Sequence, residues 1–227
     1  MLVSSVFLTV FFSMQGLLPM PLDIELSGRA REWFLRAEAM IGTESEYSEA
    51  QVQCYREALA LAPDFESARH NLVLVLLARK EHVEAEEEAS RLISRGGKSV
   101  LGYLFRAEAR LGMHQYEEAL EDLNVFLKKH PEDTRGLELL GKAYSALGDH
   151  DRAADAYQRA GKQHEDSLGG RINAGFSLLN SGKKQEAAEV FAELVAAFPE
   201  AWESHYWLGV AYRSEEHTSE LQSRQSI

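Results

Sequence analysis

Cysteine, proline and positive charge are all scarce in this sequence of 227 residues. Cys54 is the one cysteine, which excludes an intramolecular disulfide and any metal cluster built on cysteine. It sits in an amphipathic helical pattern beside Tyr55, the setting of a packing residue rather than a nucleophile. Only 5 prolines occur, and none lies between Pro63 and Pro131. Long helices are therefore allowed where proline would break them. Lys and Arg number 24 against 36 Asp and Glu, a net charge of −12. That argues against nucleic acid, whose phosphates need a basic face. The acid is spread along amphipathic segments and reads as solvated helix faces. Glycine-rich phosphate loops, His-Glu-x-x-His and Gly-x-Ser-x-Gly are all missing. Glu86-Glu87-Glu88 and Glu117-Glu118 lie on helices whose other face is apolar, so they do not read as a catalytic pair. His82, His114 and His150 fall in or near successive turns. Stacked turns keep them apart, so exposed turn histidines are expected rather than a metal set. The expectation is a chain with no catalytic residues, no metal and no cofactor.

What the sequence does have is a period. Pro63, Pro131 and Pro199 are spaced by 68 and 68, twice 34. Leu140-Gly141-x-x-Tyr144-x-x-x-Gly148 is followed by Ala153, Tyr157 and Ala160. One period later stand Gly175, Leu178, Gly182, Ala187, Phe191 and Leu194. One period earlier stand Ala107, Tyr116, Ala119, Leu123 and Phe126, and before them Leu72, Leu76, Ala85 and Leu92. The register gives repeats at 66–99, 100–133, 134–167 and 168–201. A looser copy covers about 30–65, with an insertion near Gly42–Tyr47, and a sixth over 202–212 is cut off after one helix. Small residues at the eighth and twentieth positions let paired helices approach, and a large residue at the twenty-fourth fills the space between them. One such unit cannot bury its apolar face alone, so neighbours must stabilise it. Lys80 and His114 stand where a turn glycine is expected, and Gly112 comes early.

On these residues the chain resembles tetratricopeptide repeat proteins over about 30–212. The resemblance implies an all-α fold, a right-handed superhelical solenoid of antiparallel helix pairs. It implies a protein–protein interaction scaffold or adaptor that binds a partner protein or peptide in its concave groove. Positions 2, 5, 9 and 12 of each repeat point into that groove in the family. The expected partner-binding residues are Leu74 and Leu77, Leu104 and Glu108, Arg135, Glu138 and Lys142, and Ile172, Phe176 and Leu179. The groove then reads as apolar on both sides of a charged middle, where Arg135 and Lys142 can meet an acidic group. Some members clamp acidic C-termini with Asn, Lys and Arg. Asn71 and Asn173 sit at a clamp-like sixth position, but Leu101, Phe105, Glu203 and Trp207 stand where basic partners are needed, so clamping is not expected. An alternative is a recruiting N-terminal arm of a longer enzyme, for example a transferase.

The two ends stand apart from the repeats. Residues 1–22 carry no charge, and their apolar core, Leu2–Phe12, suits a secretory signal or an anchor better than a full span. Export or membrane anchoring is expected if that segment is a signal, and a cytoplasmic place otherwise. Membrane contact is expected only through this segment. At the other end, 213–227 reads like a translated sequencing adapter, a non-native tail on a fragment whose parent continues past Tyr212.

Overall fold

The computed structural model describes residues 28–94, 100–163 and 168–225, with backbone alone for 162–163 and 215–225. The apolar segment 1–22 lies outside the described residues. Among the described residues there are eleven helices and no strand. They are α1 (Gly28–Glu38), α2 (Glu49–Leu61), α3 (Glu66–Ala78), α4 (His82–Ser94), α5 (Leu101–Gly112), α6 (Tyr116–Leu127), α7 (Thr134–Ala146), α8 (His150–Gln163), α9 (Leu168–Asn180), α10 (Lys184–Ala197) and α11 (Trp202–Gln225). The architecture is an all-α array of helical hairpin repeats. No helix of the described residues is long and apolar enough to cross a membrane. The chain forms two compact units, Met1–Asp122 and Leu123–Ile227, with the division inside α6.

In the first unit each helix from α1 to α5 packs on the next, and α3 also packs on α5, the next helix but one. Ser48 starts α2 by accepting a hydrogen bond from the Gln51 amide, and Glu49 suits the positive end of that helix. The core gathers Phe34, Tyr55, Phe65, Leu72 and Leu76. Phe34 lies against Phe65 with ring centroids 4.7 Å apart and against Tyr55 at 6.0 Å. Cys54 is buried in the same cluster, and burial pushes its thiol up, away from the thiolate. Arg106 grips Asp122 with two hydrogen bonds of 2.6 and 2.9 Å, and Arg110 joins Asp122 to Glu86, so α5 is tied to α4 and α6.

In the second unit the expected small and large positions meet directly. A β-carbon on Gly141 would stand 2.7 Å from the Tyr157 ring, and one on Gly175 would stand 2.5 Å from the Phe191 ring. Both glycines are buried, and each ring takes the volume that a side chain would claim. Asp133 caps α7 by accepting from the Gly136 amide at 2.7 Å. Ala187, Phe191, Leu194, Leu178 and Ala211 bind α9, α10 and α11 into one cluster.

The prolines that mark the period, Pro63, Pro131 and Pro199, also leave a carbonyl to be satisfied. Arg69 donates to the Pro63 carbonyl at 2.7 Å, Arg159 to that of Pro131 at 2.8 Å, and the His205 ring lies 2.9 Å from that of Pro199. The period therefore carries a polar element that the apolar pattern did not reveal.

The turns explain two departures from the repeat pattern. Lys80, His114, Gly148 and Gly182 stand 34 apart and share a left-handed backbone, with φ of 63°, 62°, 78° and 81°. The turn thus imposes this conformation whether or not glycine supplies it, and a side chain there costs about 1–2 kcal/mol. His114 offsets part of that cost through a 2.7 Å hydrogen bond with the Tyr116 hydroxyl. Lys80→Gly is expected to stabilise the chain by about 0.5–1 kcal/mol, read as a raised midpoint in urea unfolding. The early Gly112 has its own reason. Its missing β-carbon makes room for the His82 ring, which would otherwise lie 2.3 Å away. His82 and His150 are half-buried, and Nδ1 of each is buried. This corrects the expectation of exposed turn histidines for those two, while His114 is exposed.

Candidate partner-binding face

The first helix of each pair carries the positions expected to face a partner. In the first unit most of them are occupied by the fold itself. Leu77 is 8% exposed and Leu104 is 3% exposed, so both belong to the interior and offer no free surface. Leu74 and Glu108 are half-buried. His70, at the same repeat position as Leu104, is covered by Phe105 of the next repeat, edge to face at 4.8 Å. Replacing Leu104 would therefore read out folding rather than binding.

Asn71 is fully buried, and its side chain donates to Glu38 at 3.0 Å, so it is a packing group and not a clamp residue. The Tyr55 hydroxyl donates to the same carboxylate oxygen at 2.5 Å. Glu38 thus joins α1, α2 and α3 from a largely dry site. Burial raises its pKa from 4.5 to about 7, against the opposing pull of the two hydrogen bonds. A carboxyl raised in the folded state stabilises most below pH 4.5, and that share is lost as pH rises through about 7. The loss is expected to reach no more than about 3 kcal/mol. Unfolding midpoints measured from pH 4.5 to 8 should fall, and Glu38→Gln should flatten that fall.

The second unit is different. On α7, Arg135 and Glu138 are half-buried and Lys142 is exposed. On α9, Ile172 and Leu179 are half-buried, whereas Phe176 is 41% exposed. Phe176 meets Trp207 edge to face at 5.6 Å, Trp207 meets Tyr206 at 5.2 Å, and Tyr206 meets Trp202 at 6.2 Å. Four rings thus form a continuous run from α9 onto α11, with Trp202 and Tyr206 largely exposed. Such pairs prefer this tilted geometry, which leaves ring edges and faces for further contacts. Trp202, Tyr206 and Trp207 were missing from the expected set because the sixth repeat was left out of the groove reading. The same 34-residue register, carried one copy further, places Tyr206 beneath Ile172 in the pattern and would have found it.

The model of a tetratricopeptide repeat family matches residues 106–167 and 173–220. Over these residues the chain carries tetratricopeptide repeats. The rice (Oryza sativa subsp. japonica) DnaJ protein P58IPK homolog B is 26% identical over 179 residues, which is 73% of this chain and 38% of that protein. The chain spans 38% of the length of the curated relatives it matches. Among solved structures, MamA from Desulfovibrio magneticus RS-1 superposes with a TM-score of 0.69 at 17% identity, over 76% of this chain and 96% of MamA. YrrB, described as a TPR protein with an unusual peptide-binding site, superposes with a TM-score of 0.62 at 16% identity, over 88% of this chain and 96% of YrrB. These likenesses establish the fold, and the repeats support a role in protein–protein interaction. The helical backbone of α11 runs on to Gln225, through the residues that were set aside as a tail.

Proposed function

We propose that this chain is a protein-binding scaffold, not an enzyme, and that it holds a partner segment on the first-helix face of its second unit. The observation behind this reading is the exposed aromatic run Phe176–Trp207–Tyr206. Aromatic anchors beside exposed charge suit capture of a peptide with apolar or aromatic residues. Arg135 and Lys142 on α7 suit an acidic group in the same partner. Relative to the sequence-based set, the reading moves weight from Leu77 and Leu104 to Phe176 and Tyr206.

A test is peptide selection from a displayed library against the full chain, followed by affinity measurements. Phe176→Asp should weaken the selected peptides by at least about tenfold, a change of roughly 1.4 kcal/mol. Far-ultraviolet circular dichroism should stay unchanged, because Phe176 is 41% exposed. Selected peptides that bind the variant as well as the parent would overturn the reading. The alternative of a recruiting arm in a longer protein keeps the same surface. Its support is the length of the DnaJ relatives, of which this chain spans 38%, and the test is the full reading frame beyond Tyr212.

A further inference from the structure

In the first unit one carboxylate is held by the fold itself. Glu38 accepts from the Tyr55 hydroxyl at 2.5 Å and from the Asn71 amide at 3.0 Å, at the same oxygen. These three stand at the ninth and twenty-fourth positions of one repeat and the sixth of the next. The second unit keeps two of them. Tyr157 stands in the register of Tyr55, and Asn173 in that of Asn71. The ninth position, where the carboxylate belongs, is Lys142. The two donors therefore recur without their acceptor.

The surroundings of the second set agree with an unfilled place. Asn71 is fully buried, whereas Asn173 is exposed. Tyr157 is 4% exposed, with its ring held over Gly141. Among the described residues neither its hydroxyl nor the Asn173 amide has a hydrogen-bond partner, and Lys142 has no ion pair. Glu138, one turn before Lys142 on α7, is half-buried and bonds to none of the three. Burial, and then Glu138, push the Tyr157 hydroxyl up to about 12, so it keeps its proton for donation at neutral pH.

We infer that Lys142, Tyr157 and Asn173 form a socket for a carboxylate of another protein, an aspartate or glutamate side chain within a peptide segment. An amide and a phenol hydroxyl are the pair that holds Glu38. Lys142 adds a positive charge that the Glu38 site lacks, so the incoming group binds ionised, through charge-assisted hydrogen bonds. Phe176 lies one turn beyond Asn173 on α9, so an apolar residue close in sequence to the acid can reach it. The inference rests on the reading that this face holds a partner segment, and it assigns the acidic group of that segment to α7, α8 and α9.

The test uses the full chain and peptides selected from a displayed library, synthesised with acetylated and amidated ends and read by fluorescence anisotropy. Each selected peptide should carry an Asp or Glu, and its replacement by Asn or Gln should weaken binding by about tenfold. Asn173→Ala and Tyr157→Phe should weaken the acidic peptide by a similar factor and leave the neutral version unaffected. Tyr157→Phe keeps the ring over Gly141, so the urea midpoint should hold. Lys142→Glu should abolish binding of the acidic peptide, because the introduced carboxylate takes the place of the incoming one. Three results would each overturn the inference: selected peptides without an acid, binding that needs a free C-terminal carboxylate, or unchanged binding by the Asn173 and Tyr157 variants. All three leave the Phe176 reading standing, and that reading fails instead if Phe176→Asp binds the same peptides as tightly. A selection that yields no binding peptide overturns both.

Discussion

Phe191→Ala is expected to destabilise the second unit by about 3–5 kcal/mol, the range for emptying a buried aromatic site. Phe191 is fully buried, stacks on Trp207 at 6.2 Å with planes 18° apart, and fills the socket over Gly175. Removing it opens a void where three helices meet. Gly175→Leu alone is also expected to destabilise, because a β-carbon there already stands 2.5 Å from the Phe191 ring. The two changes together should cost less than their sum, since leucine at 175 can enter the space that the ring vacates. Urea unfolding followed by circular dichroism closes this double-mutant cycle, with a coupling of about 0.5–3 kcal/mol expected for residues in contact. Additive losses would contradict the pairing of glycine with ring. Because neighbouring repeats supply each other's stability, amide exchange should show the loss concentrated in α9, α10 and α11.

The second large effect lies in the first unit. Arg69 and Glu88 form an ion pair in which each residue is only 6% exposed. Glu88→Leu leaves a buried guanidinium that keeps the Pro63 carbonyl as an acceptor but has lost its counter-charge, and it also removes the carboxylate that pairs with Arg91. The expected loss is about 3–5 kcal/mol, because an uncompensated buried charge costs far more than the intact pair contributes. Replacing both residues, Arg69→Met with Glu88→Leu, should recover most of it. By contrast, breaking the exposed pair Arg152–Asp149 should change stability by less than about 0.5 kcal/mol. Equal effects at the two pairs would show that burial does not govern them.

The repeat was legible because its spacing is set by steric pairs that recur. Gly141 with Tyr157 and Gly175 with Phe191 are each a small residue under a ring, and both members are visible in the sequence at fixed positions. The turns were half legible. Glycine marked Gly148 and Gly182, but Lys80 and His114 adopt the same left-handed backbone without it, so only the register reveals them. Exposure on the first-helix face was not legible, because it depends on what the next repeat presents. His70 is covered since Phe105 follows it, whereas Phe176 meets Trp207 and stays 41% exposed. Repeat positions alone treat Leu104 and Phe176 alike. Packing separates them, and it moves the candidate face into the second unit. His82 escaped notice for a related reason: its place is made by Gly112, thirty residues on and in another helix pair.

The role proposed for the ring run is tested most directly by hydroxyl-radical footprinting of the full chain with and without a selected peptide. Modification of Phe176, Trp202 and Tyr206 should fall when the peptide is bound, because their exposed rings lie along the proposed contact. The exposed side chains Leu35 and Val83 in the first unit should react unchanged. Protection of Leu35 or Val83 with Phe176 and Tyr206 still fully reactive would contradict the account.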